Sequence, residues 1–147
     1  MQISAVREAI ADAARAVVLP AGVRALTCTG FVPDSITEPH YFVAEYDATF
    51  DRAMGRALDE LEFTSRLLVG RQDDRAGQRL LDAMLSGSGP ASLKAAIEVA
   101  RGDAGEYALG GLAHDLHVTR IQGYRWYEHA GTQYVGAEII IRVIGEG

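Results

Sequence analysis

The chain has 147 residues, 48% of them hydrophobic and 23% charged, and its 14 Lys+Arg against 20 Asp+Glu leave a formal charge of −6 at pH 7. That length suits one domain, since single cores commonly span ~100–150 residues. The composition excludes disorder, which needs low hydrophobicity together with high net charge. The acidic balance argues against a general nucleic-acid binder, whose affinity rests on Lys and Arg at phosphates. The single cysteine, Cys28, excludes an internal disulfide framework and a cysteine-rich zinc site, and it fits a reducing compartment.

In chain order, Ile3, Val6, Ile10, Ala13, Ala14 and Val17 recur at three- and four-residue steps, which predicts a helix ended by Pro20 and Gly22. The longest mostly apolar run, Ala16 to Val23, is broken by the same two residues and falls short of the ~20 a membrane span requires. Arg7, Glu8, Asp12 and Arg15 argue against a signal peptide at the start. A short strand is expected over Val23–Thr29, with Cys28 as a small core or sheet residue. Gly30–Pro39 reads as a turn-rich connection and Tyr41–Tyr46 as a second strand. Asp47–Asp59 is ambiguous: Phe50, Met54 and Leu58 keep helical spacing, yet Gly55 interrupts them.

Glu60–Gly70 alternates cleanly. Leu61, Phe63, Ser65, Leu67 and Val69 share one face, and Glu60, Glu62, Thr64 and Arg66 share the other, which must be wet or meet a partner. Asp73–Ser86 reads as a second helix, capped by Asp73 or Asp74, with Leu80, Leu81, Met84 and Leu85 as its buried stripe. Gly87 stops it, and Gly89-Pro90 launches a third helix over Ala91–Ala100 with Pro90 in the first turn. After Gly110-Gly111 the chain is β: Leu112–Tyr127 and Thr132–Ile144 form two long strands joined by a turn at Glu128–Gly131. Matching their apolar faces pairs Leu116 with Val143 and Val118 with Ile141, and Gly123 is a candidate bulge. The order helix, three strands, two helices, hairpin predicts an α+β fold, a mostly antiparallel sheet with helices on one face.

Chemistry-bearing patterns are sparse. His114 and His117, the one close histidine pair, point to opposite faces if both lie on a strand, and His40 and His129 have no carboxylate nearby in sequence. Ser86-Gly87-Ser88-Gly89 superficially suggests a phosphate loop, but it joins helix to helix and has no lysine before Lys94. Asp73-Asp74 could hold a magnesium ion or simply cap a helix. Tyr124-Arg125-Trp126-Tyr127 fits cross-strand packing or a protein–protein anchor better than base stacking. No catalytic residue, resident metal or cofactor is assigned, and the chain reads as a non-enzyme.

Several strings in the middle of the chain carry a resemblance. They are Tyr46-Asp47-Ala48-Thr49-Phe50-Asp51-Arg52, Leu68-Val69-Gly70-Arg71, and Asp73-Asp74-Arg75-Ala76 leading into Leu80-Leu81-Asp82. With the helix start at Ser88–Leu93, Gly110-Gly111 and the long final hairpin, the chain resembles the tail terminator family of long-tailed bacteriophages. The likeness is strongest to versions in phages of actinobacteria and runs over nearly the whole chain. It implies a small α/β sandwich that closes into a homohexameric ring on the tail tube. Such a ring stops tube polymerisation and joins the tail to the head-tail connector or stopper. It also implies a virion protein assembled in the host cytoplasm, no catalytic centre, no membrane partner, and a tail of the non-contractile type.

A ring subunit needs two different complementary surfaces. Candidate subunit-interface residues are Phe50, Arg52, Met54, Leu58 and Trp126, although the apolar ones could equally cover the subunit's own core. DNA passing through such a ring without specific binding favours acidic walls. Glu60, Glu62, Asp103, Glu106, Asp115, Glu128 and Glu138 are therefore candidates to face the lumen. The alternatives are another ring of the head–tail neck, or a small enzyme or ligand-binding domain with a deep polar pocket.

Overall fold

The computed structural model describes residues 1–50, 58–71, 75–103 and 105–146. Five strands form one sheet: β1 (Thr27–Thr29), β2 (His40–Thr49), β3 (Leu58–Arg71), β4 (Asp115–His129) and β5 (Thr132–Glu146). They lie in the order β1-β2-β3-β5-β4, so β5 and β3 are central and β4 forms an edge. Every pairing is antiparallel except β1 with β2. Three helices, α1 (Ile3–Ala14), α2 (Arg75–Leu85) and α3 (Leu93–Val99), pack on one face. The fold is α+β with a long C-terminal hairpin, as the sequence predicts.

Period-two alternation explains the central strands. Leu61, Phe63, Ser65, Leu67 and Val69 of β3, and Val135, Ala137, Ile139, Ile141 and Val143 of β5, are all buried. They meet Val6, Ile10 and Ala14 of α1, Leu81 and Met84 of α2, and Leu93 and Ile97 of α3 in one core. Each large side chain removed from water contributes about 2 kcal/mol, which is why the phase of the alternation sets the register. Leu116 pairs with Val143 and Val118 with Ile141, as face matching requires. The hairpin reaches its turn through two register shifts, one between Val118 and Arg120 and one between Gln122 and Arg125. Gly123 lies in the second with φ +65°, a conformation open to glycine and strained for other residues.

Several boundaries differ from the sequence reading. The helix expected to run to Pro20 ends at Ala14, where Arg15 turns back to pair with Asp12 and to donate to the Cys28 carbonyl at 2.8 Å. The strand expected from Val23 holds only Thr27–Thr29, because Val23 N–H closes a turn on the Pro20 carbonyl. β2 continues past Tyr46 to Thr49, and Leu58 lies in β3, so helical spacing through Leu58 is not realised. α3 begins at Leu93 behind an N-cap, Ser92, whose hydroxyl accepts from Ala95 N–H at 3.1 Å. Pro90 therefore stands outside the helix, and its carbonyl accepts from Val18 N–H. Leu80 and Leu85 are only partly buried, leaving Leu81 and Met84 as the inward stripe of α2. Residues Leu109–Gly111 form a 3-10 turn, and β4 starts at Asp115, later than Leu112.

The opposite face of the sheet carries a smaller apolar group at the hairpin end, where Phe42, Ala44 and Leu68 meet Ile36, Tyr127 and Tyr134. Arg7 of α1 ties the layers together. Its guanidinium donates to the carbonyls of Gly30 (2.7 Å), Val43 (2.7 Å) and Ala44 (2.8 Å), at the place where β2 shifts register, and lies over the Phe31 ring.

Candidate assembly interface

The face without helices is built from the outward residues of β2, β3, β5 and β4, and it is ionic. Arg66 donates to Glu138 at 3.1 Å and to Glu45 at 2.9 Å, and Gln122 donates to the other oxygen of Glu138 at 3.1 Å. Glu138, only 6% exposed, thus has both carboxylate oxygens engaged, as a buried charge requires. Arg120 lies 3.4 Å from Glu62, and Arg142 pairs with Glu60. Four lumen candidates, Glu60, Glu62, Asp115 and Glu138, lie on this face by register. Each is held by an arginine, Asp115 by Arg101 at 2.8 Å. Among the described residues the carboxylates outnumber the guanidiniums here, so the face stays negative while its acids are fixed in place. Asp103, Glu106 and Glu128 are exposed elsewhere on the surface.

The second feature is the free edge. β4 has 15 residues, pairs among the described strands with β5, and presents an edge that Glu98 covers at Val118 and that no strand covers beyond it. A long exposed edge is a template for pairing with another chain. Its hairpin half carries Tyr124 (47% exposed) and Trp126 (41%), with Ile121 also exposed. Burial and Asp82, with which Tyr124 shares a hydrogen bond, raise the Tyr124 hydroxyl above the usual tyrosine range. Arg125 stacks on the Tyr127 ring at 4.6 Å, and the Tyr127 hydroxyl donates to the Gly123 carbonyl at 2.6 Å. The aromatic cluster is thus divided: Tyr127 is packed within the subunit, and Tyr124 and Trp126 remain open.

On the opposite side of the sheet, β1 covers only His40–Phe42, so the far half of β2 is also an edge. Phe50, at its end, is 70% exposed. Of the other interface candidates, Leu58 is partly buried in β3, and Arg52 and Met54 fall outside the described residues, as do Asp73 and Asp74.

Several titratable groups make contacts within the fold. His114 precedes β4 and stacks edge-on against Tyr107. The opposite-face argument for His114 and His117 therefore does not apply. His117 Nδ1 lies 3.0 Å from Glu98, whose carboxylate also takes Lys94 and accepts from Val118 N–H at 3.3 Å. Burial pushes the Glu98 pKa up, but these hydrogen bonds and the charges of Lys94 and His117 outweigh it and hold the carboxyl below its ordinary range. This clamp fastens α3 to β4, and no sequence signal announces it, because His117 and Glu98 are 19 residues apart. His40 is buried; Thr37 N–H donates to its Nδ1 at 3.2 Å and Nε2 lies 3.1 Å from Thr29 Oγ1, an arrangement that suits the neutral ring. Burial, assisted by His129, lowers its pKa. Burial also pushes the Cys28 thiol up to about 11 against the opposing charge of Arg15, which leaves it protonated and unreactive at neutral pH. The segment Ser86–Gly89 joins α2 to α3, as the sequence predicts. Among the described residues no group of three or more His, Cys, Asp or Glu is placed to hold a metal ion, and no helix is long and apolar enough to cross a membrane.

No protein-family model and no curated protein matches this chain.

Proposed function

We propose that this protein is a tail terminator of a long-tailed bacteriophage, a subunit that closes into a six-membered ring on the end of the tail tube. One observation carries the reading: the exposed apolar side chains include two unlike patches, Phe50 at the end of β2 and Ile121, Tyr124 and Trp126 on β4. These lie on opposite edges of the sheet and toward opposite ends of its strands. A contact between two unlike patches is head-to-tail, and it closes a ring when its rotation divides the circle. The resemblance supplies the six-fold number and the tube as partner. The paired but net-negative sheet face supports a lumen wall that lets DNA slide, because immobilised acids repel phosphate.

The test is electron microscopy of the purified protein, alone and with tail tubes. Six-fold annuli at one end of each tube are expected. Annuli at the portal side would reassign the protein to another ring of the neck, and a monomer that seats on neither would end the proposal. Phe50→Asp should keep the fold and abolish annuli; annuli that persist would remove Phe50 from the interface.

A further inference from the structure

Among the described residues, seven arginine side chains are committed within their own chain. Arg7, Arg15, Arg66, Arg101, Arg120 and Arg142 bind carboxylates or carbonyls, and Arg125 stacks on Tyr127. Three exposed arginines, Arg24, Arg75 and Arg79, make no such contact among the described residues; Arg24 lines one hollow between the 20–24 turn and α2, and Arg75 and Arg79 line a second that adjoins it through Val23, Ala76 and Leu80. Pro20, Val23, Leu80 and Ala83 give the pair an apolar lining, the hollow beside α2 has a volume of about 440 Å³, and among the described residues Glu38 is the carboxylate in the lining.

The fold has no use for these charges where they stand. Arg75 opens α2, where the positive end of the helix dipole disfavours a cation. Arg79 follows one turn later on the same helix face, so the two guanidiniums repel each other. Three unpaired cations around an apolar floor, in a chain of net charge −6, make a receptor for something both acidic and apolar. Nucleic acid is a poor match, since a phosphate backbone leaves an apolar floor unfilled and meets Glu38.

This chain carries the complement at the other end of its strands. The end of α3 presents Val99 (78% exposed), and beyond it stand Tyr107 (63%) and the exposed carboxylates of Asp103 and Glu106. This segment is held in shape by Asp103 N–H donating to Glu106 at 3.4 Å and by Tyr107 against His114. The hollow at Arg24 adjoins Gly70, near the hairpin end of the sheet. The acidic turn lies beside His114, at the end where β4 begins and β5 finishes. We infer that the surface bearing Arg24, Arg75 and Arg79 receives Val99, Asp103, Glu106 and Tyr107 of a second copy, making an ionic head-to-tail contact. This rests on the reading that copies assemble head to tail, and it names a contact between them.

The experiment is sedimentation velocity over a concentration series at low and high salt. It uses the wild type, a groove variant (Arg75→Glu with Arg79→Glu), a turn variant (Asp103→Arg with Glu106→Arg), and an equimolar mixture of the two. Wild-type assemblies should weaken as salt rises. Each variant alone should lose assembly by about 100-fold in concentration, because like charges then face each other. The mixture should regain it, since each variant's altered surface meets its opposite on the other. A groove variant that assembles like the wild type, or a mixture that stays apart, overturns the contact. Should either variant unfold, the alanine pairs at the same positions are read the same way, with loss of salt-sensitive assembly as the expected result and wild-type behaviour as the refutation. A wild type that remains monomeric throughout also overturns it; the terminator reading then falls only if that protein fails to seat on tail tubes.

Discussion

Ser65 is the sharpest place to test how the core is held. It lies at 0% exposure on the otherwise apolar face of β3, and its hydroxyl takes part in two hydrogen bonds. Tyr41, itself fully buried, donates to Ser65 Oγ at 2.8 Å, and Ser65 donates onward to the Ile139 carbonyl at 2.8 Å. Ser65→Ala leaves no appreciable cavity but strands the Tyr41 hydroxyl in a dry core. An unsatisfied buried donor costs about 1–3 kcal/mol and the lost bond to Ile139 about 1 kcal/mol, so the variant should lose about 3 kcal/mol. Tyr41→Phe removes the outer donor and leaves Ser65 bonded to Ile139, at a cost of about 1 kcal/mol. Urea unfolding of both variants and of the double variant supplies the cycle. The double variant should be more stable than Ser65→Ala alone, because it has no orphaned hydroxyl. Equal costs for the single changes, or strict additivity in the double, would refute the relay.

Other consequences follow from neighbouring geometry. Gly136→Ala should destabilise by about 3 kcal/mol in the same assay, because a Cβ there would stand 2.4 Å from the backbone oxygen of Leu67, which has nowhere to move. Ala130→Asn should stabilise by about 0.5 kcal/mol: the two-residue hairpin turn holds Ala130 at φ +51° and Gly131 at +81°, a conformation asparagine tolerates better than alanine. Glu98 has a depressed pKa in the folded state, so its clamp contributes full stability above its unfolded value near 4.5 and loses it as pH falls through the lower folded value. Hydrogen exchange at α3 and β4 should therefore accelerate in acid, and Glu98→Gln should flatten that acceleration. His40 is also depressed, so its contribution is complete above about 6.5 and drains as pH drops below that; an NMR titration of its ring should give a midpoint beneath 6.5.

The elements of this protein are legible in its sequence because they rest on local periodicity. The alternation over β3 and β5 decides which side chains leave water, and matching the apolar face of β5 to Leu116 and Val118 sets the register where β4 begins, while the two shifts that carry the hairpin to its turn are not fixed by it. Ends of elements are less legible. Arg15 halting α1 depends on the Cys28 carbonyl, 13 residues away, and the brevity of β1 depends on which part of β2 lies beside it. Among the site residues, Phe50 and Trp126 stand out as bulky apolar groups in polar surroundings, and both are exposed. The acidic candidates can be named from the sequence, but their arginine partners cannot: Glu138 meets Arg66 across 72 positions, and Arg120 meets Glu62 across 58.

The groove is hidden in the sequence for the same reason. Arg75 and Arg79 read as an ordinary solvated helix face without the 20–24 turn beside them, although two like charges one turn apart at a helix start are a usable signal. Sequence alone determined what each segment does with water, since burial is a property of periodic side chains. Which charges neutralise one another, and which are left over for a neighbour, was decided only by folding, because Coulomb energy depends on separation in space and strand pairing brings distant residues together.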